Sequence, residues 1–159
     1  MPSHSAAPLA DVPLEDCPIA RAVDVIGDRW TLLILRSAFH GVRRFGDFQR
    51  DLEASRSVLA DRLGKAVAAG LLRRVPYSEP GQRPREEYAL TRKGVSLLPA
   101  LVALMEWGGA HAPSSTGSVR LTAGPDGEPV HVAFVTSSGR EVTDYRDLKA
   151  DWRSTRAQD

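Results

Sequence analysis

Apolar positions recur along this chain in two different periods, and the changes of period outline its elements. Ile19, Val23 and Ile26 fall at i, i+4 and i+7, one stripe of a helix. Asp16, Cys17 and Pro18 supply its start, a cap candidate followed by a proline in the first turn. Gly27-Asp28 interrupts the stripe. A second helix is predicted over 29–39 with Trp30, Leu33, Ile34 and Leu35 on its apolar face, ending at His40-Gly41. Phe45, Phe48 and Leu52 give a short third helix. A turn through Glu53-Ala54 leads to Ser55, a good N-cap. The helix it opens carries Leu59, Leu63, Ala66 and Val67 on one side, and Arg56, Ser57, Ala60, Asp61 and Lys65 largely on the other, ending near Gly70. Two short helices joined by a tight turn, the second apolar inside and polar outside, form a helix-turn-helix pattern.

The helical period then stops. Residues 71–77 have strand character, SEPGQRP is turn chemistry, and residues 85–90 read as a returning strand. A β-hairpin directly after the second helix is a wing, and its tip and flanks hold Arg73, Arg74, Arg83 and Arg85. Thr91-Arg92-Lys93-Gly94 begins a further helix whose stripe is Leu97, Leu98, Leu101, Leu104 and Met105, with Pro99 early enough to be tolerated or to kink it slightly. After Gly108-Gly109 the composition turns to Pro, Ser, Gly and Thr. Short strands are predicted at 119–122, 130–136 and 141–143, separated by Gly124-Pro125-Asp126-Gly127 and Ser137-Ser138-Gly139. The fold class is thus mainly α with a β wing. The expected order is a flexible arm (1–15), a winged helix-turn-helix domain (16–110), a linker (111–118), a small β appendage (119–149) and a frayed tail (150–159).

Composition narrows the function classes. With 159 residues, 42% of them hydrophobic and 26% charged, the chain reads as an ordinary globular protein. No apolar run approaches the roughly 18 residues of a membrane helix. The first sixteen residues lack the basic and apolar regions of a secretory leader. One cysteine excludes an internal disulfide framework and a Cys-clustered zinc site, and the simplest compartment is a reducing cytoplasm. The net charge of +1 hides an asymmetry: residues 20–94 hold fifteen Lys/Arg against nine Asp/Glu, and the rest six against eleven. A basic middle suits a phosphate-rich partner, because neutralising phosphates releases condensed counterions.

At this point the residues point to a family. CPIARAVDVIGDRWTLLILRSAFHGVRRFGDFQRDL, then SRSVLADRLGKAVAAGLLRR, then YALTRKG before an aliphatic helix, resembles the HxlR family of bacterial regulators, which is allied to the MarR-type winged-helix regulators. The resemblance covers about residues 17–107. It implies a homodimer joined through the N-terminal helix and the helix after the wing. It also implies that the second helix-turn-helix helix enters the major groove of double-stranded DNA while the wing meets the flanking backbone or minor groove. Gly64 and Ala66 depart from the family's larger residues, and the tail lacks the cysteine pairs of longer members, so no metal is implied there.

The candidate DNA contacts follow from this placement. Ser55, Arg56, Ser57, Asp61 and Lys65 lie on the outer face of the recognition helix, whose first turn meets base edges; alone, the same residues read as a solvated face. Arg83 and Arg85 flank Pro84 on the wing, where a rigidly held guanidinium suits a narrow minor groove. Of Arg73 and Arg74 only one can face DNA, and Arg74 is taken. Arg43 and Arg44, before the first helix of the motif, are candidate phosphate contacts. Cys17 at a helix start has two readings, a redox-sensing thiol or a buried small hydrophobe. His4, His40, His111 and His131 show no metal-ligand spacing, and no catalytic constellation, cofactor motif or phosphate loop is present. The function read from these residues is a sequence-specific transcriptional regulator, not an enzyme. It would bind palindromic operators as a homodimer, under a small-molecule effector or thiol oxidation. The alternatives are a winged-helix protein-interaction module, or a ligand-binding protein working through the β appendage.

Overall fold

The computed structural model describes residues 12–112 and 119–149. The expected arm up to residue 11, most of the linker and the tail from residue 150 lie outside them. The chain forms two compact units, one spanning Val25–Val132 and another that joins the N-terminal residues to those from Ala133 onward.

Local chemistry sets the helix ends in the first unit. Helix α2 (Arg29–Phe39) is capped by Asp28, whose carboxylate accepts the N–H groups of Trp30 and Thr31 at 3.0 and 3.1 Å. It stops at His40, and Gly41 follows with φ of +86°. Helix α3 (Phe45–Leu52) ends at Glu53, whose φ of 49° makes the sharp turn into Ser55. Ser55 caps α4 (Arg56–Ala68) by accepting the Val58 N–H at 3.4 Å, and Gly70 closes the helix with φ of +71°. Strands β1 (Leu72–Tyr77) and β2 (Arg85–Leu90) then pair antiparallel, with Leu72 opposite Leu90 and Tyr77 opposite Arg85. This is the wing.

The core lies where these elements meet. Ile34, Phe48, Ala54, Leu59, Leu63, Ala66 and Leu72 are buried together, with Trp30, Val42, Leu52, Tyr88 and Leu90 packed around them. Leu59, Leu63 and Ala66 recur at i, i+4 and i+7, so one face of α4 faces inward and the opposite face stays wet. Phe48 and Tyr88 meet edge to face at 6.2 Å, tying α3 to the wing.

The region after the wing departs from the sequence expectation. One helix was expected from Thr91; two form, α5 (Arg92–Val95) and α6 (Leu98–His111). Pro99 has no N–H to offer Val95 and its ring crowds that carbonyl, so the helix stops and restarts with proline in the new first turn. Helix α6 also runs through Gly108 and Gly109. The expected strands shrink to two-residue pairs: β3 (Thr122–Ala123) with β4 (Glu128–Pro129), and β5 (Phe134–Val135) with β6 (Glu141–Val142). The tight turns that close each hairpin, with Gly124, Gly127 and Gly139 at positive φ, make two separate ribbons, and of the strand expected over 130–136 only Phe134–Val135 forms. The β3–β4 ribbon belongs to the first unit and β5–β6 to the second.

The second unit also holds most of α1 (Pro18–Ile26), which starts with proline at its first position and buries none of its residues. Ile19 and Val23 are 68% and 55% exposed.

Candidate nucleic-acid interface

The outer face of α4 presents the residues the sequence singled out. Ser55, Arg56, Ser57, Asp61 and Lys65 are all exposed. Ser55 is spent partly on the cap, and its hydroxyl lies 3.3 Å from that of Ser57. Asp61 and Lys65 form an i,i+4 ion pair at 2.9 Å, both well exposed, which stabilises the helix by a few tenths of a kcal/mol. The Arg56 guanidinium lies 5.2 Å from the centre of the Phe45 ring. Stacking on an aromatic face leaves all five of its donors available.

An open cleft of about 490 Å³ lies between the start of α3, the start of α4 and the wing. Arg44, Arg56 and Arg85 line it together with Phe45, Tyr77 and the carboxylates of Asp47 and Glu86. Three guanidiniums and two carboxylates leave the cleft a small positive excess, with Arg56 and Arg85 free of an internal carboxylate partner among the described residues. The sequence could not join Arg56 to Arg85, because their proximity depends on how the wing folds back.

The arginines divide into two groups. Arg43 pairs with Glu87 at 2.6 Å, Arg44 with Glu79 at 2.9 Å and Arg74 with Glu86 at 3.4 Å, all three carboxylates being on the wing. Arg56, Arg73, Arg83 and Arg85 have no carboxylate partner among the described residues. All four are exposed. A guanidinium without an internal counter-charge keeps its full attraction for phosphate or a base edge.

Several residues that orient this surface were not singled out by sequence. Arg62 reaches back from α4 to Asp28, the cap of α2, at 3.5 Å. Burial raises the Asp28 carboxyl, but hydrogen bonds from Thr31, with Arg62 and Trp30, outweigh it and hold the group below its ordinary range. Thr91 donates its hydroxyl to the Gly70 carbonyl at 2.6 Å and accepts the Gly94 N–H at 3.0 Å. Lys93 donates to the Ala69 carbonyl at 2.8 Å, so residues after the wing cap the C-terminus of α4. In the sequence the TRKG run showed a helix start and part of the family resemblance; its second job spans more than twenty residues and has no local signal.

Cys17 belongs to the other unit, where it is half-buried and its N–H lies in a turn from Pro13. Among the described residues no cluster of His, Cys, Asp and Glu could hold a metal ion.

A helix-turn-helix with a basic outer face and a wing behind it is the arrangement of a winged-helix DNA-binding regulator. The HxlR-like helix-turn-helix family matches residues 25–116, and the chain belongs to it. The HTH-type transcriptional regulator Rv3095 of Mycobacterium tuberculosis is 43% identical over 129 residues, 79% of each chain. Among solved structures, PA1607, assigned as a transcription factor, is 39% identical with a TM-score of 0.74 over 85% of this chain and 94% of that one. The redox regulator HypR in its reduced form is 29% identical with a TM-score of 0.55, over 60% of this chain and 94% of the other. A MarR-family regulator from Enterococcus faecalis V583 is 36% identical with a TM-score of 0.51, over 59% and 84%. The protein is a transcriptional regulator with a helix-turn-helix domain, and not an enzyme.

Proposed function

We propose that the protein binds palindromic operators as a homodimer, reading base edges with the start of α4 and gripping the flanking backbone or minor groove with the wing. The observation that carries this reading is the set of guanidiniums left without internal counter-charge, Arg56 on the recognition helix and Arg83 and Arg85 on the wing. Arg56 and Ser57 are the base readers, Asp61 and Lys65 extend the contact along the groove, and Arg83 and Arg85 meet the narrow groove beside it.

Exposed apolar faces support the dimer. On α6 Leu104 is 52% and Trp107 63% exposed, and α1 leaves Ile19 and Val23 in solvent. Large aromatic and aliphatic side chains left bare on helices mark interaction surfaces. Control comes through a small molecule or through oxidation of Cys17, the second route being suggested by the likeness to a redox regulator.

A footprint on the DNA flanking the protein's own gene tests the whole reading. Two recognition helices related by a twofold axis should protect inverted half-sites roughly 10 bp, or a multiple, apart. Protection of one isolated half-site by one protomer would remove the dimer. Diamide treatment of wild type and Cys17→Ser, followed by operator binding, separates the two routes of control.

A further inference from the structure

The wing is held against the segment between α2 and α3 by contacts that converge on two adjacent residues. The Tyr88 N–H donates to the Arg43 carbonyl at 2.8 Å, and the Arg43 guanidinium reaches Glu87. Arg44 does more. Its backbone is the cap position of α3, its guanidinium sits 2.9 Å from Glu79 in the wing's turn, and the same group lies 4.7 Å from the centre of the Tyr77 ring. Tyr77 ends β1 and stands opposite Arg85, while Glu79 leads into the turn that carries Arg83.

One guanidinium thus grips both the end of a wing strand and the turn beyond it. A phosphate contact needs an open edge of the fork and room to approach it. Here one face of the group lies against an aromatic ring and its Nη2 is turned to a carboxylate. Breaking both to reach DNA would forfeit a cation–π contact and an ion pair, and would leave Glu79 facing the incoming phosphate.

We propose that Arg44 is a positioning residue and not a DNA contact: it clamps the wing to the start of α3 and thereby sets where Arg83 and Arg85 fall. The purpose of the clamp rests on the DNA-binding reading above; the clamp itself does not.

Hydrogen exchange on the DNA-free protein tests the clamp. Arg44→Glu is expected to speed exchange of the wing amides around Tyr77 and Arg85 by roughly five- to thirtyfold, with the amides of α2 and α4 unchanged. Glu79→Gln, which leaves position 44 alone, is expected to act in the same direction. The charge-swapped pair R44E/E79R keeps the net charge and should restore wing protection. Unchanged wing exchange in Arg44→Glu overturns the proposal. A 30-bp random-sequence duplex at low salt provides the second readout: Arg44→Glu should weaken binding and R44E/E79R should recover it. If the swapped pair regains wing protection yet binds DNA as poorly as Arg44→Glu, position 44 touches phosphate and the proposal is overturned. If wild type fails to bind the duplex at all, the DNA-binding reading falls, and hydrogen exchange still decides the clamp.

Discussion

Single side chains and single missing side chains decide much of the local geometry. Gly94 sits against the end of α4: a Cβ there would lie 2.2 Å from the Leu71 carbonyl oxygen and 3.0 Å from a Leu90 methyl. Backbone cannot give way as a flexible side chain can. Gly94→Ala is expected to destabilise by about 1–3 kcal/mol, as an overpacked core does. Gly64 is the contrast, since a Cβ at that helical position meets nothing within 4 Å. Gly64→Ala should stabilise by about 0.5–1 kcal/mol, because glycine loses more backbone freedom in a helix than alanine does. Urea unfolding of both variants checks the pair, and equal shifts in the midpoint would contradict the packing argument. Asp51 offers a test by titration. The Ser37 hydroxyl, together with Arg36, holds its carboxyl below the ordinary value of 3.8. A carboxyl with a depressed folded-state pKa lends stability that is complete above its ordinary value and is lost as pH falls below it. Ser37→Ala should therefore move the Asp51 titration upward and raise the pH at which acid unfolding begins. An Asp51 carboxyl resonance that titrates identically in the variant would sink this account.

At the level of elements, legibility in the sequence tracked the distance between cause and effect. Helices α2 and α4 were readable because apolar period and terminating glycine lie within one element, with Gly41, Gly70 and the cap Ser55, whereas Asp28 read only as an interruption and proves to be the cap of α2. The wing was readable from its turn chemistry. The break between α5 and α6 turned on whether one proline would be absorbed, and the two ribbons later in the chain on which short strands find partners; neither is a local property. The candidate interface divides in the same way. Membership of α4's outer face follows from the 3.6-residue period, but the sorting of arginines into those answered by wing carboxylates and those left open depends on pairs such as Arg44 with Glu79. That sorting gives a prediction for α4. Arg56 is open and stands at the first helical position, so Arg56→Ala should cost about 1–3 kcal/mol on a specific operator and far less on random DNA. Binding assays on both duplexes decide it, and equal losses would move Arg56 to the backbone-contact class.

For the whole molecule, the proposed operator reading requires two copies of this chain to share one stretch of DNA. The apolar face of α6 makes a concrete answer testable. Trp107 is 63% exposed, lies against His111 with ring centres 5.1 Å apart and is not part of the hydrophobic core among the described residues, so replacing it leaves that core intact. In a dimer built on this face, Trp107→Glu would place a charge in an apolar contact, and desolvating it without a partner costs several kcal/mol. The expected result is a protein of monomer mass by sedimentation whose thermal unfolding still reports a folded winged-helix domain. Its DNA binding should change in a specific way. A dimer neutralising six to ten phosphates should lose about 10³–10⁵-fold in affinity between 50 and 200 mM salt, because each neutralised phosphate releases counterions. A monomer meets half of those phosphates, so Trp107→Glu should halve the slope of log affinity against log salt as well as weaken binding. Loss of affinity with an unchanged slope would mean that the dimer persists on DNA and that the substitution acts elsewhere. Wild-type mass and wild-type slope together would show that α6 is not where the two copies meet.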